Sequence, residues 1–355
     1  MEKGKHKLII CLIITILFTR CASRELVMLP PVPTSTAVLL PESEDWYEVY
    51  FSSPGEDSYQ GGVDETLAEA IDRARFRVDL AAYDFNLWSL RSALIRAHQR
   101  GVSVRVVAEG DHLSREEFQD LIEAGIPVIP DPNPGLMHDK LILMDSSELW
   151  MGSMNFTLNG VYRHDNHLLR IYSIPLVENY RMEFEEMFEN QLFGTRIQDN
   201  TPHPVVVEHG SRIETFFSPD DQPRQRIEEV LAGADQSIEF LAFSFTSDSL
   251  AEIILERAAR GVRVRGVFDQ SQISPRFGAE YARFKEEGVD VCQDGSPEKM
   301  HHKLILVDGE IVITGSYNLT ESAEKENDEN LLIIHNARMA EIFQAEFERI
   351  SGLCR

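Results

Sequence analysis

The sequence predicts an α/β protein built from one unit written twice: two α/β/α lobes paired as a pseudo-dimer with one site at their junction. Three observations predict it. Leu80-Ala-Ala-Tyr-Asp-Phe85 returns as Phe240-Leu-Ala-Phe-Ser-Phe245, and Arg100-Gly-Val-Ser-Val-Arg105 as Arg260-Gly-Val-Arg-Val-Arg265, both at an offset of 160 residues. Gly125 matches Gly288 and His138 matches His301 at an offset of 163, so the second copy carries a small insertion. In both copies β-branched apolar runs alternate with helical patterns. A chain of 355 residues is also the length of about two domains.

Taken in order, the chain opens with Lys3, Lys5 and Lys7 ahead of an apolar run from Leu8 to Phe18. That reads as a secretory signal, because a membrane-spanning helix needs about 20 apolar residues. Cys21 raises the alternative of lipid attachment, although Arg20 stands where a small residue is usual. Residues 1–24 are therefore expected to be a signal or membrane-targeting segment of an exported protein. Residues 25–43, with Pro30, Pro31, Pro33 and Pro41, read as an extended spacer. Lobe 1 then covers 44–198 and lobe 2 covers 208–355, with Asn200-Thr-Pro-His-Pro204 as linker.

Each lobe repeats the same elements. A helix is expected over Glu65–Ala74 and again over Arg226–Ala234. A strand follows at Arg77–Tyr83 and at Ser237–Phe243. A longer helix stops at Gly101 and at Gly261. The next strands are Val102–Ala108 and Val262–Phe268. This alternation implies a largely parallel sheet covered on both faces.

Composition narrows the function. With 43% hydrophobic and 26% charged residues the chain is neither wholly disordered nor a polytopic membrane protein. A formal charge of -25 excludes a broad basic surface for nucleic acid. The four cysteines, Cys11, Cys21, Cys292 and Cys354, are too few and scattered for a disulfide framework or zinc cluster.

Two segments carry chemistry. His138-Asp-Lys140, Asp145 and Gly152-Ser153-Met-Asn155 match His301-His-Lys303, Asp308 and Gly315-Ser316-Tyr-Asn318 with identical spacing. On a strand, residues two apart share a face, so each His–Lys pair points one way. Leu141–Met144 and Leu304–Val307 read as the buried continuation of each strand. Lys140 is the only lysine between residues 25 and 284, which singles it out among cations that are otherwise Arg or His. Lysines and amide or hydroxyl donors stabilise the charge growing on a phosphodiester's oxygens. A neutral imidazole can attack phosphorus, and a protonated one can supply the leaving oxygen with its proton. A metal is disfavoured, since each histidine has a lysine beside it. His302 should point away from His301 in a structural role. The sequons Asn155-Phe-Thr157 and Asn318-Leu-Thr320 fall inside the motifs and read as coincidental.

The duplicated HxKxxxxDxxxxxxGSxN resembles the phospholipase D superfamily over both halves, about 300 residues. The resemblance implies a two-lobed α/β fold, one site between lobes, a phosphohistidine intermediate and no cofactor or required metal. It implies that His138 and His301 are nucleophile and acid in some order. Lys140, Lys303, Asn155 and Asn318 would bind phosphate, with Ser153 and Ser316 nearby, and Asp145 and Asp308 would hold local structure. In the family a downstream carboxylate often braces the histidine. Glu329, 28 residues after His301, stands at that distance, whereas His138 has Asn166 there, next to Asp165. A carboxylate favours imidazolium and an amide leaves imidazole neutral, so this pairing makes His138 the nucleophile and His301 the acid.

Membership does not fix the substrate. The expected activity is hydrolysis of phospholipid head groups to phosphatidic acid, at a membrane surface, by a monomer with internal pseudo-symmetry. The alternatives are a secreted metal-independent endonuclease, disfavoured by the acidic charge, and a phosphatidyltransferase. A non-catalytic binding module fits poorly with both motifs intact.

Overall fold

The computed structural model describes residues 37–38, 46–55, 59–273 and 279–354. The signal segment, Cys11, Cys21 and nearly all of the 25–43 spacer lie outside the described residues.

Lobe 1 contains β1 (Ala37–Val38), β2 (Tyr47–Ser52), α1 (Val63–Arg73), β3 (Arg77–Ala82), α2 (Trp88–Gln99), β4 (Ser103–Glu109), α3 (Glu116–Glu123) and β5 (Val128–Asp131). It continues with β6 (Lys140–Met144), β7 (Glu148–Gly152), α4 (Leu158–Tyr162), β8 (Asn166–Tyr172) and α5 (Ile174–Phe188). Lobe 2 repeats the series as β9 (Val205–Glu208), β10 (Ser211–Ser218), α6 (Pro223–Ala232), β11 (Ser237–Ala242), α7 (Asp248–Ala259), β12 (Arg263–Phe268), α8 (Ala279–Glu286) and β13 (Asp290–Gln293). It ends with β14 (Lys303–Val307), β15 (Ile311–Gly315), α9 (Glu321–Lys325), β16 (Glu329–His335) and α10 (Ala337–Ser351). The strand orders are β1-β2-β8-β7-β6-β3-β4-β5 and β9-β10-β16-β15-β14-β11-β12-β13, the same path twice.

The sheets are mixed, which corrects the largely parallel expectation. Among the described strands, β3–β4–β5 and β11–β12–β13 run parallel, through the helical crossovers α2, α3, α7 and α8. The motif strands pair antiparallel, β6 with β7 and β14 with β15, because tight turns too short for a crossover join them. Asp145 and Asp308 make those turns, at φ 52° and 55°. The Asp145 carboxylate accepts the backbone N–H groups of Arg75, Phe76 and Arg77, and Asp308 those of Asp235, Gln236 and Ser237. Each aspartate thereby ties its motif hairpin to the start of the neighbouring strand.

Side-chain alternation decides the packing. Leu141 and Leu143 on β6, and Leu304 and Leu306 on β14, face one central core shared by the lobes. Tyr180 and Phe184 of α5 and Phe343 and Phe347 of α10 fill it. Ile142 and Met144 face a second core beneath α1 and α2, and Ile305 and Val307 a third beneath α6 and α7. Each fully buried side chain of this size contributes about 2–3 kcal/mol, so separating the lobes would strip many such contributions at once.

One covalent link was not legible in the sequence. Cys292 on β13 and Cys354 beyond α10 form a disulfide, with Cα atoms 5.8 Å apart across a separation of 62 residues. Spacing alone gave no sign of it, because only the fold lays the C-terminus against that edge strand. Closing a loop of this size constrains the unfolded chain by up to about 4 kcal/mol. Cys354→Ser, or reduction, should lower the melting temperature by roughly 5–10 °C in scanning calorimetry. An unchanged transition would show that the bridge does not stabilise the fold.

Candidate functional site

The two motif histidines stand just before β6 and β14, and each is stitched to the opposite lobe. The His138 N–H donates to the Asp328 carbonyl at 2.9 Å, and the Asp328 N–H to the Leu136 carbonyl at 2.9 Å. In mirror fashion the His301 N–H donates to the Asp165 carbonyl at 2.8 Å, and the Asp165 N–H to the Lys299 carbonyl at 2.9 Å. Asp328 immediately precedes β16 and Asp165 immediately precedes β8. The first residue of each of those strands is therefore delivered to the other lobe's histidine.

This crossing overturns the expected bracing pairs. Glu329 braces His138, with Oε2 2.7 Å from Nδ1. Asn166 braces His301, with Oδ1 2.9 Å from Nδ1, and the Ser153 carbonyl lies 3.1 Å from the same nitrogen. Distance along the chain had pointed to a brace within each lobe; the backbone stitching makes it a brace between lobes. These partners are acceptors, so each ring donates from Nδ1 and leaves Nε2 unprotonated.

Both lysines are buried behind their histidines. Lys140 Nζ donates to the His138 carbonyl and sits 5.0 Å from the Tyr83 ring centroid. Lys303 Nζ donates to the His301 carbonyl at 3.0 Å, lies 3.3 Å from His301 Nε2, and sits 4.9 Å from the Phe243 ring centroid. Tyr83 and Phe243 also pack against the imidazoles, at 4.8 Å from His138 and 4.5 Å from His301. They are equivalent residues of the repeated Leu80–Phe85 and Phe240–Phe245 segments, and that equivalence was the available signal for these aromatic walls. His164, whose ring lies 6.2 Å from His301, has no counterpart in lobe 2 and left no such signal.

The GSxN segments do three separate jobs. A Cβ on Gly152 would meet the His167 carbonyl at 2.4 Å, and one on Gly315 the Asn330 carbonyl at 2.1 Å, so only glycine allows β7 and β15 this close to their neighbours. The serines, expected near the phosphate, hydrogen-bond the bracing residues. Ser153 Oγ donates to Asn166 Oδ1 at 3.1 Å, and Ser316 hydrogen-bonds Glu329 and accepts the Asn330 N–H at 3.0 Å. Both are fully buried and hold the braces, because the adjoining strands bring those side chains within reach first. Asn155 and Asn318 are half-buried, with their amide oxygens sealed from solvent and unpaired among the described residues. Thr157 and Thr320, the last sequon residues, cap α4 and α9 by accepting the N–H groups of Gly160 and Ala323.

Burial sets the electrostatics. It holds His138 and His301 well below the ordinary imidazole range, and the two lysines push in the same direction. It raises Glu329 to about 7 against the pull of Lys140. It lowers Lys140 to about 8, and Lys303, further depressed by Lys140, well below its usual value. The Lys140 ammonium is present below pH about 8 and lost above it. kcat/KM on a soluble phosphodiester should therefore fall as pH rises through about 8, and Lys140→Arg should carry the surviving activity past that limb. A flat profile to pH 10 would show that this charge is not used. Among the described residues, no three His, Cys, Asp or Glu side chains are grouped as a metal ion would need.

Two imidazoles, two lysine amino groups and two amides, closed by hydrogen bonds from opposite lobes, can bind a phosphate, attack it and protonate a leaving oxygen. The family model described as "Cardiolipin synthase, PLD-like domain" matches residues 67–188 and 227–351. The chain is 38% identical over 130 residues to a mitochondrial cardiolipin hydrolase of Xenopus laevis, covering 37% of this chain and 61% of that protein. It is 32% identical over 133 residues to a phospholipase D of Rickettsia prowazekii (strain Madrid E), covering 38% and 64%. The chain thus spans a little over three fifths of these relatives' length. The fold resembles a phosphatidylserine synthase structure from Haemophilus influenzae Rd KW20, with a TM-score of 0.64 at 13% identity over 86% of this chain and 87% of that one.

Proposed function

The chain belongs to the phospholipase D-like domain family, and on that premise we propose that it hydrolyses the phosphodiester of a phospholipid, releasing the head-group alcohol and phosphatidic acid. The observation that carries this reading is the crossed pair, His138 on Glu329 and His301 on Asn166, each with a buried lysine two residues away.

His138 Nε2 attacks phosphorus, and the bond from phosphorus to the head-group oxygen breaks. That oxygen takes a proton from His301. Water then attacks the phosphohistidine, gives its proton to His301, and displaces the His138 nitrogen. Lys140, Lys303, Asn155 and Asn318 bind the phosphoryl oxygens, whose charge grows in both steps. An incoming phosphodiester anion offsets the two ammonium groups and so raises the proton affinity of His301, which is low in the empty site.

The names of the relatives support a lipid over a nucleic acid, as does a net charge of -25. The Cys292–Cys354 bridge supports an exported destination, since such bonds persist in oxidising compartments. Among the described residues no helix is long and apolar enough to cross a membrane. The test assays the purified protein in parallel on mixed phospholipid vesicles and on single- and double-stranded DNA and RNA. Phosphatidic acid release with no nucleic-acid cleavage is expected, and the converse would overturn the reading. With the phosphate's charge met by lysines, EDTA should leave turnover of a soluble diester intact. Loss that only a divalent ion restores would contradict this; an ion effect on vesicle binding alone would not.

A further inference from the structure

Behind His301 lies a second set of titratable groups that the mechanism does not use. The positions after the two motif histidines differ between lobes. Asp139 accepts a hydrogen bond from Asn330 Nδ2 at 2.5 Å, whereas the equivalent His302 and His167 meet Nδ1 to Nδ1 at 3.0 Å with their rings parallel. From this histidine pair, buried polar groups run in two directions.

Towards the C-terminal helix, His302 Nε2 lies 2.9 Å from Glu346 Oε1 on α10. Glu346 also accepts two hydrogen bonds from Arg349, which donates to Asp165 Oδ1 at 2.6 Å. Towards the site, Ser153 Oγ accepts the His167 backbone N–H at 3.1 Å and donates to Asn166 Oδ1 at 3.1 Å, and Asn166 braces His301. His167, His302, Asp165 and Thr314 have no exposed surface.

The donors and acceptors can be counted. Thr314 Oγ1 donates to the Lys303 carbonyl at 2.9 Å, so at 2.6 Å from His167 Nε2 it accepts the ring proton. His167 is then unprotonated at Nδ1 and accepts from His302 Nδ1–H. His302 Nε2 faces a carboxylate and donates as well. Both His302 nitrogens therefore carry protons. Glu346 is the carboxylate that faces His302 Nε2, and Arg349 bridges it to Asp165, whose carboxyl burial pushes up. Lys303 is the remaining charged group bearing on His167, and it too disfavours a charge on that ring.

We propose that Glu346 holds His302 as a buried imidazolium, and that the chain Glu346–His302–His167–Ser153–Asn166 is a positioning device that fixes the orientation and acidity of His301. Glu346, His302 and His167 are positioning residues, since none touches substrate. The inference rests on the reading of His301 as proton donor. Loss of one proton would neutralise His302, turn the His167 tautomer and rotate the Thr314 hydroxyl, and so change the charge and ring dipoles that lie behind Ser153, Asn166 and His301.

The test uses the full-length protein with nitrogen-15 histidine. At pH 7 both His302 ring nitrogens should be protonated, with slowly exchanging protons, and Glu346→Gln should remove one of them. The same variant should move the His301 limb of the pH–kcat profile by half a unit or more. It should lower kcat about tenfold on a diester with an alkyl leaving group, and less on a p-nitrophenyl diester, whose departure needs little protonation. Glu346→Asp should recover most of the loss. If Glu346→Gln does not fold, Thr314→Val, which removes the acceptor of His167 Nε2–H, should alter the same ring signals. A neutral His302 in the unmodified protein overturns the proposal, as does a Glu346→Gln protein with a lowered melting temperature and an unchanged pH profile. The ring-proton measurement needs no substrate, so it stands apart from any failure of the phosphodiesterase reading.

Discussion

His138→Ala is expected to abolish turnover of every phosphodiester, by about four orders of magnitude or more, while His301→Ala keeps the first step on a p-nitrophenyl diester and accumulates phosphate on His138. The reason is the direction in which charge changes on each ring. Attack through Nε2 turns the His138 ring from neutral towards positive, and Glu329, 2.7 Å from Nδ1, is placed to stabilise that charge. Proton donation turns the His301 ring from positive to neutral. Its brace is the Asn166 amide oxygen, a dipole that grips the proton less tightly than a carboxylate would. A p-nitrophenolate leaves without help, so the first step survives loss of the acid, whereas an alkyl leaving group stalls. Alkali-quenched His301→Ala protein should therefore carry an alkali-stable, acid-labile phosphoryl group on a peptide containing His138. Phosphate trapped on His301 in the unmodified protein would reverse the roles.

That assignment of roles matches the one read from the sequence, but the premise behind it did not survive. Spacing placed Glu329 with His301 and argued that a carboxylate suits the acid. Applied to the observed pairs, that rule would make His138 the acid. It fails because it considers the resting charge of each ring and not the change of charge during the step.

The duplicated frame was legible because it is local and written twice. β3 and β11 start at Arg77 and Ser237, at the first offset, and β6 and β14 start at Lys140 and Lys303, at the second. Asp145 and Asp308 were legible as structural residues for the same reason. Pairing between distant strands was not. The hairpin of β6 with β7 looked like part of a parallel array until its short turn was considered. Which lobe's β8-type strand reaches which histidine depends on the Met137–Asp328 and Asp165–Met300 bridges, and these join residues that no periodicity links. The disulfide and the His167–His302 pair were hidden likewise, since each is a contact between segments far apart in the chain.

The crossing itself has a consequence of similar size. Glu329→Gln should lower kcat/KM on a p-nitrophenyl diester by roughly two to four orders of magnitude, in the range seen when a buried carboxylate that orients a catalytic imidazole becomes an amide. Glu329 lies in lobe 2, and a brace within that lobe would serve His301, whose loss this substrate tolerates. A crossed brace serves His138, on which the first step depends with any leaving group. Asn166→Ala should show the opposite pattern, with little effect on the p-nitrophenyl diester and a loss of about tenfold or more on an alkyl diester. Neither substitution opens the shared core, although Glu329→Gln also removes a group that Ser316 and Asn327 hold. Melting temperatures must accordingly be compared before rates are. A double substitution separates the readings further: once His138 is alanine, Glu329→Gln should cost nothing more, because the brace has lost the ring it acts on. If Glu329→Gln instead spares the p-nitrophenyl substrate and cripples the alkyl one, Glu329 acts on His301 and the lobes do not exchange their braces in solution.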